Sequence, residues 1–502
     1  MCVGCAGLGF SFLTSVMVTR LLGLFAAWAA ADYLTARRGL SECLVAGEDW
    51  EYHKWYQSRA KEEVREEMKW VWSMYREKAM GADSILPEEG MPYDDWGGFS
   101  LFLVESLDTL HLMGFHDWFH EATKFTQKRA YYRRNVNINV MEMTIRLLGG
   151  LESAYEREPN AALLRRCVEL GDRLALAFGM RGVLPYTDLN FATGEAQALR
   201  NLTGLSELGT LSLEFRKLSQ LSGNQTYAQL VETVERFLLV KLYEAGGLLK
   251  YEYDPYENEF VGRKCVGARE DSYYEYLYKV WLSTGKEKDI YHKMYEFSKD
   301  AILNTLLEVS TSGDMYLKEI QDNGDDANIL EHLACFYPGL LALENIIEGY
   351  NQTQEKIAMG LTRTCISLYE KTLKHLAPDL VAFPNNYKLF MPKEYASYHL
   401  RPETVESIFY LYRLTKDQAL MDSAYSILSA LKHYAKAEFG YSALRNVNSN
   451  SEEDSPYLNS QPSYFPAETL KYLYLTFGEE ELLRLDREVI TTEGHVLRME
   501  KS

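Results

Sequence analysis

The chain has 502 residues, 47% of them apolar, with a formal net charge of -19 and a mean hydropathy of -0.28. That composition supports a large core and excludes a disordered or multi-span membrane protein, while the length allows one large domain or two or three smaller ones. The acidic balance, with no concentrated run of Lys and Arg, argues against nucleic acid as a partner and favours a neutral or cationic ligand or a metal cation.

The first distinct segment is "LGFSFLTSVMVTRLLGLFAAWAAA", residues 8–31, apolar with Arg20 as its one charge. Read whole it is one bilayer span; read from Arg20 it is a short signal peptide with small residues before Asp32. The anchor reading is preferred, which gives a cytosolic tail, signal-anchor and short stem in residues 1–45 and a single domain over 46–502. Cys2 and Cys5 precede the apolar segment; Cys43, Cys167, Cys265, Cys335 and Cys365 follow it. Five is odd, so at least one of them is unpaired or pairs between chains. Sequons at Asn201, Asn224 and Asn351 are compatible with glycosylation.

Beyond residue 50 the pattern is helical. "KEEVREEMKWVWSMYREKA" spaces its apolar residues by three and four among charges, as most later segments do. Strand signals are few, and with 13 prolines and no Gly/Ser-rich linker no further domain boundary is expected. Seven phrases share one form, an acid leading into an amphipathic run. They start at Glu105, Glu142, Glu207, Asp271, His332 (just after Glu331), Glu403 and Glu468. The spacings are 37, 65, 64, 61, 71 and 65 residues, and a repeat near 65 is two helices and two loops.

Seven helical hairpins can bury their apolar faces by closing into a ring of parallel inner helices surrounded by outer ones. The expected fold is therefore all-α, a toroid in which the leading acids gather at one mouth. One acid at a helix start answers the helix dipole, but seven converging need a cation, hydrogen bonds or a shared proton between them. An open solenoid with the acids on a solvated face fits the same period. So does a terpenoid-cyclase-like toroid, whose metal motif would have to be Asp94-Asp95, in a loop flanked by Pro and Gly.

Paired carboxylates across a pocket are what glycoside hydrolysis needs, and a carboxylate cluster also suits Ca²⁺. The 36 tyrosines offer faces for sugar stacking as well as for packing. No Gly-rich phosphate loop, H-E-x-x-H, zinc-spaced pair of C-x-x-C motifs or G-x-S-x-G elbow competes.

Six stretches then carry a resemblance: "VNINVMEMTIRLLGGLESAY", "GAREDSYYEYLYKVWL", "EHLACFYPGLLAL", "LRPETVESIFYLYRLT", "PAETLKYLYLTF" and the terminal "TTEGH". In this order, from about residue 50 to residue 497, they resemble the class I α-1,2-mannosidases, glycoside hydrolase family 47. The resemblance implies an (α/α)7 barrel and an inverting hydrolase that removes α-1,2-linked mannose from high-mannose N-glycans. It implies one Ca²⁺, bound through Thr492. Position by position it gives Glu142 as the general acid, Asp271 as the acid assisting protonation through water, and Glu403 as the general base. Arg401, His332, Glu207, Glu406 and Glu468 fall on residues around the terminal mannose and the calcium. Tyr464 stands where the family commonly has Phe and is counted with the substrate-binding residues.

The resemblance also pairs Cys335 with Cys365, as in the processing members. Arg269 matches the arginine of the endoplasmic-reticulum type, which favours removal of one mannose from the middle branch of Man9GlcNAc2 to leave the Man8 B isomer. The implied protein is a monomer and a single-pass type II protein of the endoplasmic reticulum membrane with its catalytic domain in the lumen. A Golgi-type enzyme trimming to Man5GlcNAc2 and a glycan-binding quality-control lectin on the same barrel are the alternatives. "VMEMT", Pro466 and the residues after "TEGH" depart from the family pattern and bear on fine specificity.

Overall fold

A computed structural model describes residues 49–129, 134–178, 183–197, 202–449 and 456–500, with side chains from residue 53 onward. The apolar segment at 8–31, Cys2, Cys5, Cys43 and the sequon Asn201 lie outside these residues. By backbone contacts the chain divides into a unit ending at Arg59 and a second from Ala60 to Ser502. The described part of the first is the opening of a long helix, α1 (Asp49–Lys78). No helix among the described residues is long and apolar enough to cross a membrane.

The second unit is the expected (α/α)7 barrel. Its inner helices are α2 with α3 (Leu101–Glu105 and Leu107–Leu112), α5 (Gly149–Arg157), α7 (Ser212–Ser222), α9 (Asp271–Ser283), α11 (Tyr337–Glu348), α13 (Glu403–Thr415) and α15 (Leu470–Thr476). Outer helices return between them: α4 (His116–Lys128), α6 (Ala161–Leu174), α8 (Thr226–Glu244), α10 (Asp289–Thr305), α12 (Gln352–Glu370) and α14 (Gln418–Ala430). Each inner helix packs on the next, and the segment ahead of α15 packs on α3, which closes the ring. Residues 60–78 of α1 form the seventh outer helix. Their buried face runs through Val64, Met68, Val71, Trp72 and Tyr75, while Arg76 pairs with Glu121 of α4 and Glu63 with Lys432 just beyond α14. A ring of seven inner helices thus takes its last outer helix from the N-terminal side of the unit.

The inner helices are buried almost all round, and several carry polar groups into that burial, such as Glu152 of α5 and Glu214 of α7. In α9, every residue from Ser272 to Ser283 is buried, tyrosines included. Scarce strand signals did not mean absent strands. Eight small antiparallel sheets occur among the described residues, each strand two or three residues long, too short to show alternation in sequence. They brace the loops: Asn137–Asn139 pairs with Asp188–Asn190 and runs straight into the turn carrying Glu142, and Thr203–Gly204 pairs with Glu252–Asp254 ahead of Glu207.

One hairpin does more. Strands Glu488–Ile490 and Val496–Arg498 pair antiparallel, and the turn between them carries Thr492. The hairpin is bound on several sides: Ser153 Oγ donates to Val496 O, Lys471 Nζ to Gly494 O, and Glu500 N to Ser283 O. Gly494 has a φ of 72°, and a Cβ there would meet Glu468 Cγ at 2.7 Å and Ala467 O at 2.9 Å, so the turn lies hard against the segment bearing Glu468.

A disulfide joins Cys335, in the short helix His332–Phe336 ahead of α11, to Cys365 of α12, 30 positions further on, worth about 3 to 4 kcal/mol in the chain-entropy model. Cys167 and Cys265 are free and buried. Asn224 and Asn351 are exposed; Asn351 also caps α12, its Oδ1 accepting from Thr353 N and Gln354 N. Asp94 and Asp95 stay in an exposed turn outside the main cavity, which removes the terpenoid-cyclase-like reading.

Candidate active site

A cavity of about 510 Å³ opens where the inner helices begin, and Glu142, Glu207, Asp271, Glu403 and Glu468 all line it. Of the seven phrase acids, Glu105 and Glu331 do not. Glu105 is the last residue of α2, fully buried, and accepts from Arg146 Nη1 at 3.4 Å. Glu331 accepts from Arg263 and from Ala268 N, bracing the loop before Asp271.

Local structure aims the others. Asn139 Oδ1 accepts from Glu142 N, while its Nδ2 donates to Glu207 Oε1 at 2.8 Å, so one asparagine sets two acids. Glu142 opens into a π-helical turn, Met143–Leu148, and Glu468 lies in another, Phe465–Thr469; such turns are uncommon and gather at functional sites. Asp271 and Glu403 are the first residues of their helices. Both follow strained backbone: Arg269 has a φ of 77° and Leu400 one of 62°, left-handed values costly for residues with a Cβ.

Glu403 is buried, and His332 Nδ1 lies 2.8 Å from its Oε2. His332 does not line the cavity. It stands behind Glu403, with Nε2 on the Tyr369 and Thr404 hydroxyls. Ser206 Oγ and Ser272 N donate to Asp271 Oδ1. Burial nevertheless outweighs those bonds and pushes the Asp271 carboxyl up to about 7.

Arg269 donates to Glu207 at 3.1 Å and pairs with Glu252 at 2.7 Å, which spreads its guanidinium along the wall. Arg401 is held by Asp379 at 2.9 Å. Burial alone would raise Asp379, but His399 and Arg401 hold it well below the usual carboxylate range. Tyr464 lines the cavity and donates its hydroxyl to His399 O.

The floor is crowded with oxygen. Thr492 lines it together with Glu275, Glu406, Glu468 and Glu493. Burial raises Glu406 to about 8, and it raises Glu468 and Glu493 far above the ordinary range, with the charge of Glu493 adding to it at Glu468 and those of Glu105 and Glu142 adding to it at Glu493. Two cations reach this set: Lys279 pairs with Glu275 and lies 3.6 Å from Glu406, and Arg146 touches Glu493. An all-oxygen donor set with more negative charge than its cations balance fits a hard cation of the calcium type.

Sequence reasoning missed Arg146, Glu275, Asp379 and Glu493. Arg146 Nε donates to Glu142 Oε2 at 2.7 Å, and its guanidinium lies between the Trp96 and Tyr464 rings at 5.5 and 6.0 Å. Its i,i+4 spacing from Glu142 was the one local signal available.

Comparison with known proteins gives the family. The sequence model of glycosyl hydrolase family 47 matches residues 67–499, and the chain belongs to that family. The endoplasmic reticulum mannosyl-oligosaccharide 1,2-alpha-mannosidase of Homo sapiens is 33% identical over 438 residues, covering 85% of this chain and 62% of that protein. A mannosyl-oligosaccharide 1,2-alpha-mannosidase of Arabidopsis thaliana is 34% identical over 451 residues, covering 88% and 78%. The chain thus spans 62% of the human relative's length and 66% of the rat one's. In structure it is similar to an alpha-1,2-mannosidase from Trichoderma reesei, with a TM-score of 0.80 and 24% identity over 88% of this chain and 99% of that one.

Proposed function

We propose that the chain is a calcium-dependent, inverting exo-α-1,2-mannosidase that trims Man9GlcNAc2 to the Man8 B isomer. The observation that carries the reading is the pairing, in one cavity, of an acid that keeps its proton near neutral pH, Asp271, with a carboxylate backed by a histidine, Glu403. Glu403 takes a proton from water as that water attacks the anomeric carbon. The bond to the leaving sugar oxygen breaks, and that oxygen receives a proton from the other side of the cavity. Glu142 and Asp271 are the acids for that transfer: Glu142 is set by Asn139 and Arg146, and Asp271 donates through water. His332 fixes the Glu403 carboxylate without touching the sugar.

Thr492 would hold the calcium, with Glu275, Glu406, Glu468 and Glu493 around it. Bound there, the ion supplies a fixed positive charge against which sugar hydroxyls can be oriented. Arg269, stretched between Glu207 and Glu252, narrows the wall so that one branch of the glycan fits and others are crowded out. The same proposal has the domain acting from residue 46 onward in the lumen of the endoplasmic reticulum, tethered by the apolar segment at 8–31 and working on N-glycans as a monomer. Proton NMR of fresh digests of Man9GlcNAc2 tests the mechanism. β-Mannose as the first anomer, with the B isomer as product, is expected; α-mannose as the first anomer would rule out inversion.

A further inference from the structure

We infer that the barrel carries a second metal site, for a divalent transition cation of the zinc type, formed by His111, His116, His120 and Glu158. None of the four lines the cavity that holds the acids. One ligand atom from each of His111, His116 and Glu158 lies within 4.8 Å of the other two. The Glu158 carboxylate links two of the rings: Oε1 is 3.5 Å from His111 Nε2, and Oε2 is 2.8 Å from His120 Nε2.

Three separate segments bring these groups together. His111 is in the last turn of α3, His116 and His120 are one turn apart on α4, and Glu158 directly follows α5. An i,i+4 pair of histidines puts both rings on one helix face. The His111 and His116 rings pack edge to face with centroids 4.9 Å apart. Ordinary ion pairing with Glu158 accounts for His111 and His120, but it gives no reason for His116 to be against His111, where two imidazolium charges would repel.

The donor chemistry differs in kind from the acid cavity. Three imidazole nitrogens and one carboxylate oxygen make a four-ligand set suited to tetrahedral zinc, whereas the cavity floor offers oxygen alone. Ligand bonds of about 2.0 to 2.2 Å need donor atoms roughly 3.4 Å apart. His116 and His120 are exposed, so their rings have room to rotate to that spacing. A bound ion would clamp the turn between α3 and α4 to the end of α5, joining two successive hairpins.

The test is isothermal titration of the purified protein with zinc chloride in saturating calcium, read beside thermal unfolding. One zinc per chain is expected, together with a rise in unfolding temperature. Cobalt bound in its place should show the intense visible absorption of a tetrahedral ion. His116→Ala/His120→Ala should abolish both effects while calcium-dependent glycan hydrolysis persists. Glu158→Gln, which keeps shape and volume, should weaken zinc binding and decides the matter if the double variant folds poorly. Absence of saturable zinc binding would overturn the inference. So would zinc binding unchanged in these variants, because the ion would then sit elsewhere. The readout is binding rather than mannose release, so its failure is separate from any failure of the proposed activity.

Discussion

A buried group of acids and a single buried aspartate lie along the same C-terminal hairpin and behave in opposite ways. At its turn, Glu406, Glu468 and Glu493 line the cavity floor with Thr492, and burial raises their carboxyls more than Lys279 and Arg146 lower them. Beside the strand that follows, Asp108 is just as enclosed. Burial would raise it too, yet Lys471, with Nζ 2.7 Å away, and the neighbouring His495 hold it far below the ordinary range, while Ser153 Oγ and Val496 N also donate to it. The lesson is that burial alone does not mark a functional acid. A buried acid with a dedicated cation holds the fold together, and one whose charge is left over awaits a ligand.

The comparison can be broken by mutation. Glu403→Gln should lower kcat by about 10²- to 10⁴-fold, the usual worth of a general base, while glycan affinity stays near wild type. Stopped assays for turnover and calorimetry for binding check this; near-full turnover would remove Glu403 from its role. Asp108→Ala should lower stability by about 3 to 5 kcal/mol, because it strands the Lys471 charge in the core, and chemical denaturation measures it. Glu468→Gln should do the reverse in chelator, leaving stability unchanged or raised, while weakening calcium binding in a titration. Equal destabilisation by both changes would erase the distinction between the acid group and Asp108.

A smaller effect lies in pH. Asp271 and Glu406 hold their protons up to about 7 and about 8 in the folded state, against about 4 in the unfolded chain. The folded protein therefore binds more protons. The contribution of these two groups to stability in chelator should be fullest below about pH 4 and be lost as pH rises through 7 to 8. Calcium should flatten that fall, since a bound cation favours the charged carboxylates. Unfolding temperature against pH, with and without calcium, reads both slopes.

The repeat of acid-led phrases pointed to helical hairpins in series, which close into a ring or stay open as a solenoid, and the structure closes them. It also brought Glu142, Glu207, Asp271, Glu403 and Glu468 to one cavity. What the sequence hid are contacts with no local signature. Arg146 reaches Glu493 across 347 residues, and Asp379 reaches Arg401 from a loop whose strands are three residues long. His332 looked like a lining residue and proved to be the support behind Glu403, a difference set by which way the short helix His332–Phe336 turns. The left-handed residues Arg269 and Leu400 were equally silent, since neither is a glycine or asparagine.

The central claim is that the uncompensated acids around Thr492 serve a calcium-dependent mannosidase. Incubating the purified protein with labelled Man9GlcNAc2, in calcium and in EDTA, tests it most directly. The account predicts one mannose released per glycan in calcium and none in EDTA, with activity restored when calcium is added back. No release in calcium, or equal release in EDTA, would contradict it.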